Sequence, residues 1–142
     1  MSTVAAVLAR KQLKPVSVSP ETSVNEALRI MAEKNIGSVM VMRGDKYLGI
    51  VTERDYSRKV VLKGKNSNDT LVSDIMSTDL PAVKPGDSIE YCMELMTGRN
   101  IRYMPVFDNT RLEGIISMSD VVKETILAQK ETINQLQNYI SS

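Results

Sequence analysis

The stretch Gly49–Asp55, GIVTERD, returns 65 residues later as Gly114–Asp120, GIISMSD. Each copy has a glycine, two β-branched residues, a hydroxyl residue, two further positions and an aspartate. A hydroxyl followed three positions later by an acid has the spacing of a helix capping box, in which the hydroxyl accepts a hydrogen bond from a first-turn N–H. The simplest interpretation is that both copies begin a helix.

The glycine and the choice of aspartate are not explained by a cap alone. A glycine near the end of a strand indicates that something approaches the backbone closely. The N–H groups at the start of a helix favour an anion, and a carboxylate can accept hydrogen bonds from the hydroxyls of a ribose. The second interpretation is a site for a ribose phosphate that is made twice, and the two interpretations are compatible.

The repeat extends far beyond the heptapeptide, because Val18–Asp55 aligns with Val83–Asp120 without a gap. A looser match, TVAAVL against TLVSDIM, precedes it with a difference of two residues in spacing. Only two copies are present, which favours a pseudo-twofold pair over a solenoid. The identical pairs include Pro20/Pro85, Ser23/Ser88, Met31/Met96, Asn35/Asn100, Ile36/Ile101, Val41/Val106 and Ile50/Ile115.

Each copy predicts the order strand, helix, strand, strand, helix. The short segments VSVSP and PAVKP alternate like strands and end at prolines, and SVNEALRIMAEKN opens at capping-box spacing. The pairs Gly44–Asp45 and Asp108–Asn109 suit tight hairpin turns. The predicted fold class is α+β, with two pseudo-twofold-related β-α-β-β-α repeats. The first repeat spans 1–66 with an N-terminal helix, and the second spans 67–142 with an extended C-terminal helix.

The C-terminal segment is too long for a helix that only closes the second repeat. From Val121 to Ile140 it contains neither glycine nor proline. Its apolar positions advance in steps of four and three residues, which is typical of a helix that docks on a partner. The alternative is a helix that folds back on its own domain. The stripe consists of Val122, Ile126, Gln129, Ile133, Leu136 and Ile140.

The composition closes several routes to catalysis. The 142 residues contain no histidine and one cysteine, Cys92, so the usual general base, the commonest metal ligand and a Cys/His zinc site are absent. A net charge of +1 gives no general reason to expect nucleic acid or a membrane surface as a partner. No apolar run reaches the length of a membrane span. We therefore expect a cytoplasmic protein that is not an enzyme and binds no metal.

The duplicated pattern of glycine, two apolar residues, Thr or Ser, and Asp after a hairpin resembles a pair of CBS domains, named for cystathionine β-synthase. The resemblance covers essentially the whole chain and is closest to the small stand-alone bacterial type. It implies two repeats packed sheet to sheet, with clefts that bind adenosine-containing ligands such as AMP, ATP, NAD or S-adenosylmethionine. It also implies disc-like homodimers of four repeats.

The function implied by this resemblance is regulatory. A non-catalytic module would sense the energy or redox state through an adenine nucleotide and pass a change in conformation or packing to an unidentified protein target. The alternative is an assembly module whose clefts are empty. The adenine nucleotide is expected as a ligand and not as a catalytic cofactor.

The resemblance also assigns roles to residues by position. The acids take the ribose hydroxyls, the hydroxyl residues and their neighbours face the phosphate, and the segments NIGSV and NIRYMP contact the adenine. In related pairs, one cleft combines the acid of one repeat with the adenine wall of the other. The ribose residues are Asp55 and Asp120; the phosphate residues are Thr52, Arg54, Ser117 and Ser119; the adenine residues are Ile36, Gly37, Ser38, Ile101, Arg102, Tyr103 and Pro105; Val16 and Pro81 contribute from the first strands.

The two copies differ at positions that this assignment uses. Arg54 stands where the second copy has Ser119, and either binds a polyphosphate or lies on a solvated helix face. Pro105 has no proline counterpart in the first copy, where Met40 occupies the position. Tyr103 either stacks on adenine or is an ordinary strand residue. We therefore expect two unequal clefts, of which one is occupied at ordinary ligand concentrations.

Overall fold

The duplication in the sequence is also a duplication in the fold. The computed structural model describes residues 2–11 and 15–141. They fall into two compact units, here named for their places in the chain. The central unit is Lys14–Leu80, and the terminal unit combines Met1–Leu13 with Pro81–Ser142.

The central unit has a three-stranded sheet in the order β1-β2-β3, with β1 parallel and β3 antiparallel to β2. Its elements follow the predicted order of strand, helix, strand, strand and helix, although β1 has only two residues. The elements are β1 (Ser17–Val18), α2 (Val24–Lys34), β2 (Ser38–Arg43), β3 (Lys46–Thr52), α3 (Glu53–Tyr56), a π-helical turn (Ser57–Val61) and α4 (Val72–Ile75).

The terminal unit has a two-stranded antiparallel sheet and the longest helix of the described chain. Its elements are α1 (Val4–Arg10), α5 (Ile89–Arg99), β4 (Tyr103–Asp108), β5 (Arg111–Ser117) and α6 (Met118–Ser141). The strand predicted at PAVKP is wrong as an extended element, because only Val83 pairs there, as an isolated bridge to Val106. Pro81 and Pro85 flank this bridge, and proline has no N–H to continue a ladder.

The two repeats match residue by residue. The helix α2, the strands β2 and β3 and their pairing recur at a shift of 65 residues, including a bulge after Val41 that returns after Val106. Asn35 and Asn100 end the paired helices in the left-handed conformation, with φ of 54° and 53°. Asparagine tolerates this conformation at a helix end, which gives a physical reason for the identical pair.

Each unit is completed by a helix that precedes the other repeat in the sequence. Helix α1 precedes the first repeat and packs in the terminal unit, and α4 precedes the second repeat and packs in the central unit. Val4 and Val7 of α1 are buried in the core of the terminal unit. Val72 and Ile75 of α4 are buried in the core of the central unit. The sequence-based segments 1–66 and 67–142 therefore differ from the compact units. Helix α1 belongs to the first segment but packs in the terminal unit, and residues 67–80 belong to the second segment but fall in the central unit.

The long C-terminal helix exposes its predicted stripe. α6 packs on its own unit through its first two turns, where Val121 and Glu124 are buried. From Ile126 onward every described residue is exposed, with Ile133 at 52% and Leu136 at 56%. A helix that folds back on its own unit along its whole length is therefore wrong for the described residues.

The only cysteine is expected to be nearly unreactive in the folded protein. Cys92 lies in the core of the terminal unit, and burial raises the pKa of its thiol to about 11, with a smaller contribution from Asp87. Because the thiolate is the reactive form, iodoacetamide at pH 8 should label the native protein about a hundredfold more slowly than the urea-unfolded chain. Mass spectrometry at timed intervals measures this ratio, and equal rates would contradict the buried placement.

Candidate functional site

The first strand-to-helix corner, Thr52–Asp55, is a complete capping box. The backbone N–H of Asp55 donates to Thr52 Oγ1 at 3.0 Å. Asp55 Oδ2 in turn accepts from the Thr52 backbone N–H and from the Thr52 hydroxyl, both at 3.0 Å. Asp55 Oδ1 accepts from Ser77 Oγ at 2.9 Å and pairs with Lys59 Nζ at 2.9 Å. Four donors fill the lone-pair positions of this carboxylate, whose side chain is 8% exposed.

The close approach predicted at the first glycine is made by the chain itself. Ile50 and Ser77 exchange both backbone hydrogen bonds, at 3.0 and 2.8 Å. A Cβ on Gly49 would lie 2.8 Å from the Ser77 carbonyl oxygen and 3.1 Å from Met76 Sδ. Gly49 is thus explained by the segment after α4, and no ligand is needed to account for it.

The second corner, Ser117–Asp120, has the same capping bonds and a different partner. Ser117 N–H donates to Asp120 Oδ2 at 2.9 Å, and Asp120 N–H donates to Ser117 Oγ at 3.1 Å. Lys11 Nζ, at the end of α1, donates to Asp120 Oδ2 at 2.8 Å and to the Ile115 carbonyl at 3.0 Å. Within the described ranges Asp120 Oδ1 accepts no hydrogen bond, and the side chain is 15% exposed.

The cations at the two corners come from different places because one charge is inverted between the repeats. Lys59 of the first repeat corresponds to Glu124 of the second. Glu124 is buried and pairs with Arg10 of α1 at 3.3 Å. The first corner is therefore neutralised by its own helix, and the second by two consecutive residues at the end of α1.

The N–H groups that could hold an anion are partly used. Glu53 N–H donates to the Gly37 carbonyl at 3.2 Å, and Met118 N–H donates to the Arg102 carbonyl at 2.8 Å. The third N–H of each helix is held by the capping hydroxyl. The anion cradle expected from the helix start is thus reduced, because the first and third N–H groups of each helix are already used.

The structure brings the predicted residues of the central unit to one end of its sheet. Ser38 is buried and pairs with Thr52, Gly37 contacts the first corner through its carbonyl, and the Val16 carbonyl accepts from Met40 N–H at 3.0 Å. Ile36 packs against the core. Arg54 is half-buried on α3.

The predicted residues of the terminal unit gather in the same way. Tyr103 is half-buried and pairs with Ser117, and Arg102 is exposed beside the start of α6. Pro105 is buried, and its carbonyl accepts from Val83 N–H at 3.1 Å. The remaining three are the exposed Ser119 and the half-buried Ile101 and Pro81.

The sequence interpretation missed three side chains that complete the corners. Lys59 stands four residues after Asp55 on one helical stretch, a spacing that predicts an ion pair. Ser77 and Lys11 lie 22 and 109 residues from the acids they contact. No local sequence pattern connects residues so far apart, so the contacts of Ser77 and Lys11 could be identified only from the structure.

The terminal unit also has a groove, which none of the residues Ser117–Asp120 lines. It has a volume of about 490 Å³ and runs along α6 beside the start of α5. None of the predicted site residues lines it; the lining residues are Ser2, Ile89, Glu90, Glu124, Thr125, Ala128, Gln129, Thr132 and Ile133.

None of the helices in the described ranges combines the length and the hydrophobicity needed to cross a bilayer.

Comparison with known proteins identifies the repeats. The family model for the CBS domain matches residues 4–61 and 72–126. Among curated proteins, the mitochondrial CBS domain-containing protein CBSX3 of Arabidopsis thaliana is 34% identical over 84% of this chain and 61% of its own length. The CBS domain-containing protein YhcV of Bacillus subtilis is 32% identical over 74% of each chain.

Solved structures match over nearly the whole chain. A protein with CBS domains from Burkholderia ambifaria is 43% identical, with a TM-score of 0.85, over 90% of this chain and 96% of its own. A hexameric CBS-CP12 protein from bloom-forming cyanobacteria is 30% identical, with a TM-score of 0.73, over 86% of this chain and 70% of its own. By contrast, an inosine-5′-monophosphate dehydrogenase from Nitrosopumilus maritimus matches over only 22% of its length.

Proposed function

The chain belongs to the CBS-domain family, and from this membership we propose that it is a non-catalytic regulatory module that binds an adenosine-containing ligand such as AMP, ATP or NAD. CBS domains are regulatory modules that commonly bind adenosine ligands. The dehydrogenase that this chain resembles shares with it only about a fifth of the enzyme's length. The shared part is therefore the regulatory fold, and we assign no catalytic step to this chain.

The observation that carries the proposal is the carboxylate of Asp120 at the second corner, of which the described residues use only one oxygen. Asp120 is held in place by Ser117 N–H and Lys11 through Oδ2, while Oδ1 accepts no hydrogen bond from the described residues. A carboxylate fixed by one oxygen and open at the other can accept from a ribose hydroxyl without first losing a partner. We assign the ribose to Asp120 and the phosphate to Ser117 and Ser119.

The first corner is assigned a structural role at ordinary ligand concentrations. A ribose hydroxyl could bind Asp55 only by displacing Ser77 or Lys59, because all four positions on the carboxylate are filled. Displacing a hydrogen-bonded partner from a buried acid costs about 1–3 kcal/mol. The proposal thus predicts one strong site per chain, at the second corner.

Sensing requires that the ligand prefer one arrangement of the protein over another. ATP and AMP, or oxidised and reduced NAD, differ in charge and shape, so competition for one site would report the energy or redox state. A protein target that binds only one arrangement would then respond to this state. We propose such a target without assigning its identity.

Thermal unfolding with a panel of adenine ligands tests the proposal. At a hundredfold excess over its dissociation constant, a ligand that binds only the folded chain stabilises it by about 2.7 kcal/mol. AMP, ATP or NAD should therefore raise the Tm of the wild type, and Asp120→Asn should remove most of this rise. Asp108→Asn is the matched control, because Asp108 is an exposed acid of the same unit. No rise with any of the three ligands would contradict the proposal.

One observation favours a second candidate function, an assembly module without a ligand. Both acids hold their own backbone, as plain helix caps do. This candidate predicts that Asp120→Asn changes stability and leaves every ligand response at zero, with oligomerisation intact.

We propose that the chain assembles as a homodimer of four repeats through α6. In the single chain the apolar stripe of α6 is exposed to water, which is unfavourable for apolar side chains. The cyanobacterial protein with a similar structure is described as hexameric. The groove beside α6 includes Gln129 and Ile133 of this stripe. A second copy would bury both.

A further inference from the structure

We infer that Lys11 is the residue that sets the charge preference of the second corner, allowing a phosphorylated nucleoside to bind next to Asp120. The inference rests on the proposed function, since it concerns the same site. It assigns to the end of α1 a role in specificity that the repeated motif does not contain. Lys11 lies outside the ungapped repeat, which begins at Val18.

The position of Lys11 is set by two contacts in addition to the helix that carries it. Its ammonium lies 2.8 Å from Asp120 Oδ2 and 3.0 Å from the Ile115 carbonyl. An ammonium has three donors, and contacts with the described residues use two of them, both at the corner. The adjacent Arg10 pairs with Glu124 one turn further along α6, which fixes the end of α1 at a second point.

The electrostatic effect of this lysine follows from its place. A ligand whose ribose binds Asp120 must bring its phosphate within several ångströms of that carboxylate. Two like charges at such a distance repel each other by an amount of order 1 kcal/mol in water and more in a partly buried site. Lys11 cancels the charge of Asp120 at a contact distance of 2.8 Å and so removes this repulsion.

The first corner shows why this role belongs to Lys11 and not to the repeat. There the neutralising cation is Lys59, on the same helical stretch as its acid. The second repeat has Glu124 at that position, so without α1 its two acids would have no paired cation among the described residues. Because the compensating charges sit on α1, their removal changes charge at the site without altering the repeated motif.

The test compares a charged with a neutral ligand in variants at one position. Isothermal titration of AMP and of adenosine gives a ratio of affinities for the wild type, Lys11→Met, Lys11→Gln and Lys11→Arg. We expect both neutral variants to lower the ratio of AMP to adenosine affinity by about tenfold, roughly one partly screened charge interaction. Lys11→Arg should keep the wild-type ratio. Lys130→Met, which removes an exposed lysine further along α6, is the matched control and should also keep it.

The outcomes separate the inference from the proposed function. If the wild type binds AMP, and Lys11→Met weakens AMP and adenosine by the same factor, Lys11 is only structural and the inference is wrong while the function stands. The same holds if neither affinity changes. If the wild type binds neither ligand, the inference is overturned, and the function is overturned as well if ATP and NAD also fail to bind. Urea unfolding of each variant confirms that the compared proteins are folded at the titration temperature.

Discussion

Asp55→Ala is expected to lower the free energy of unfolding by about 3 kcal/mol, and the Tm by about 10 °C. The substitution removes the acceptor of four hydrogen bonds from a side chain that is 8% exposed. Loss of the cap alone costs about 1 kcal/mol. The remainder comes from the Ser77 hydroxyl, which loses an acceptor, and from the half-exposed Lys59 ammonium, which keeps a hydrogen bond to the Ile75 carbonyl.

Urea unfolding at a fixed chain concentration measures this loss. Asp120→Ala should cost less, about 1 kcal/mol, because its side chain is more exposed and accepts fewer bonds. Asp69→Ala, at an exposed acid of the central unit, should change stability by less than about 0.5 kcal/mol. Equal losses for Asp55→Ala and Asp120→Ala would show that the two corners are equivalent and would remove the argument for one strong site.

The double variant Ile133→Glu/Leu136→Glu is expected to turn the proposed dimer into a monomer. Both residues are more than half exposed in the single chain, and in a dimer joined through α6 each copy would bring two carboxylates into an apolar contact. If burying each of the four carboxylates costs only about 1 kcal/mol, association is weakened by about a thousandfold. Analytical ultracentrifugation over a range of chain concentrations gives the dissociation constant.

The matched control adds the same charge to the other side of the helix. At 100° per residue, Gln135 and Asn138 face away from the stripe, so Gln135→Glu/Asn138→Glu should leave the dimer intact. Circular dichroism should show the same helix content in both double variants. A wild type that sediments as a monomer at every concentration, or a dimer that survives the stripe variant, would place the interface elsewhere or exclude it.

The fold could be predicted from the sequence where its signals are local or repeated. Ser23 and Ser88 cap helices at the predicted positions, and the hairpin turns at Gly44 and Asn109 adopt the positive φ that such turns require. The duplication supports the elements that recur in both copies, but the first strand forms only at Ser17–Val18 and is reduced to a single bridge at Val83 in the second copy. CBS-domain membership followed from the same repeated corner.

The contacts that distinguish the two corners could not be predicted in this way. TVAAVL and TLVSDIM look alike, and nothing within them says that α1 packs with the second repeat and α4 with the first. Ser77 and Lys11 reach their acids only through this packing. The difference between Lys59 and Glu124 lies four residues beyond the aligned segments, and its meaning depends on Arg10 and Lys11, which also lie outside them.

Direct titration of AMP into the protein tests the central claim, that a sugar linked to phosphate binds the acid of the second corner. Isothermal calorimetry should give one AMP per chain for the wild type and for Asp108→Asn, and an affinity at least tenfold weaker for Asp120→Asn, the loss expected when a charged hydrogen-bond acceptor is replaced. No measurable binding of AMP, ATP or NAD by the wild type, or equal affinity for AMP in Asp120→Asn and the wild type, would contradict it.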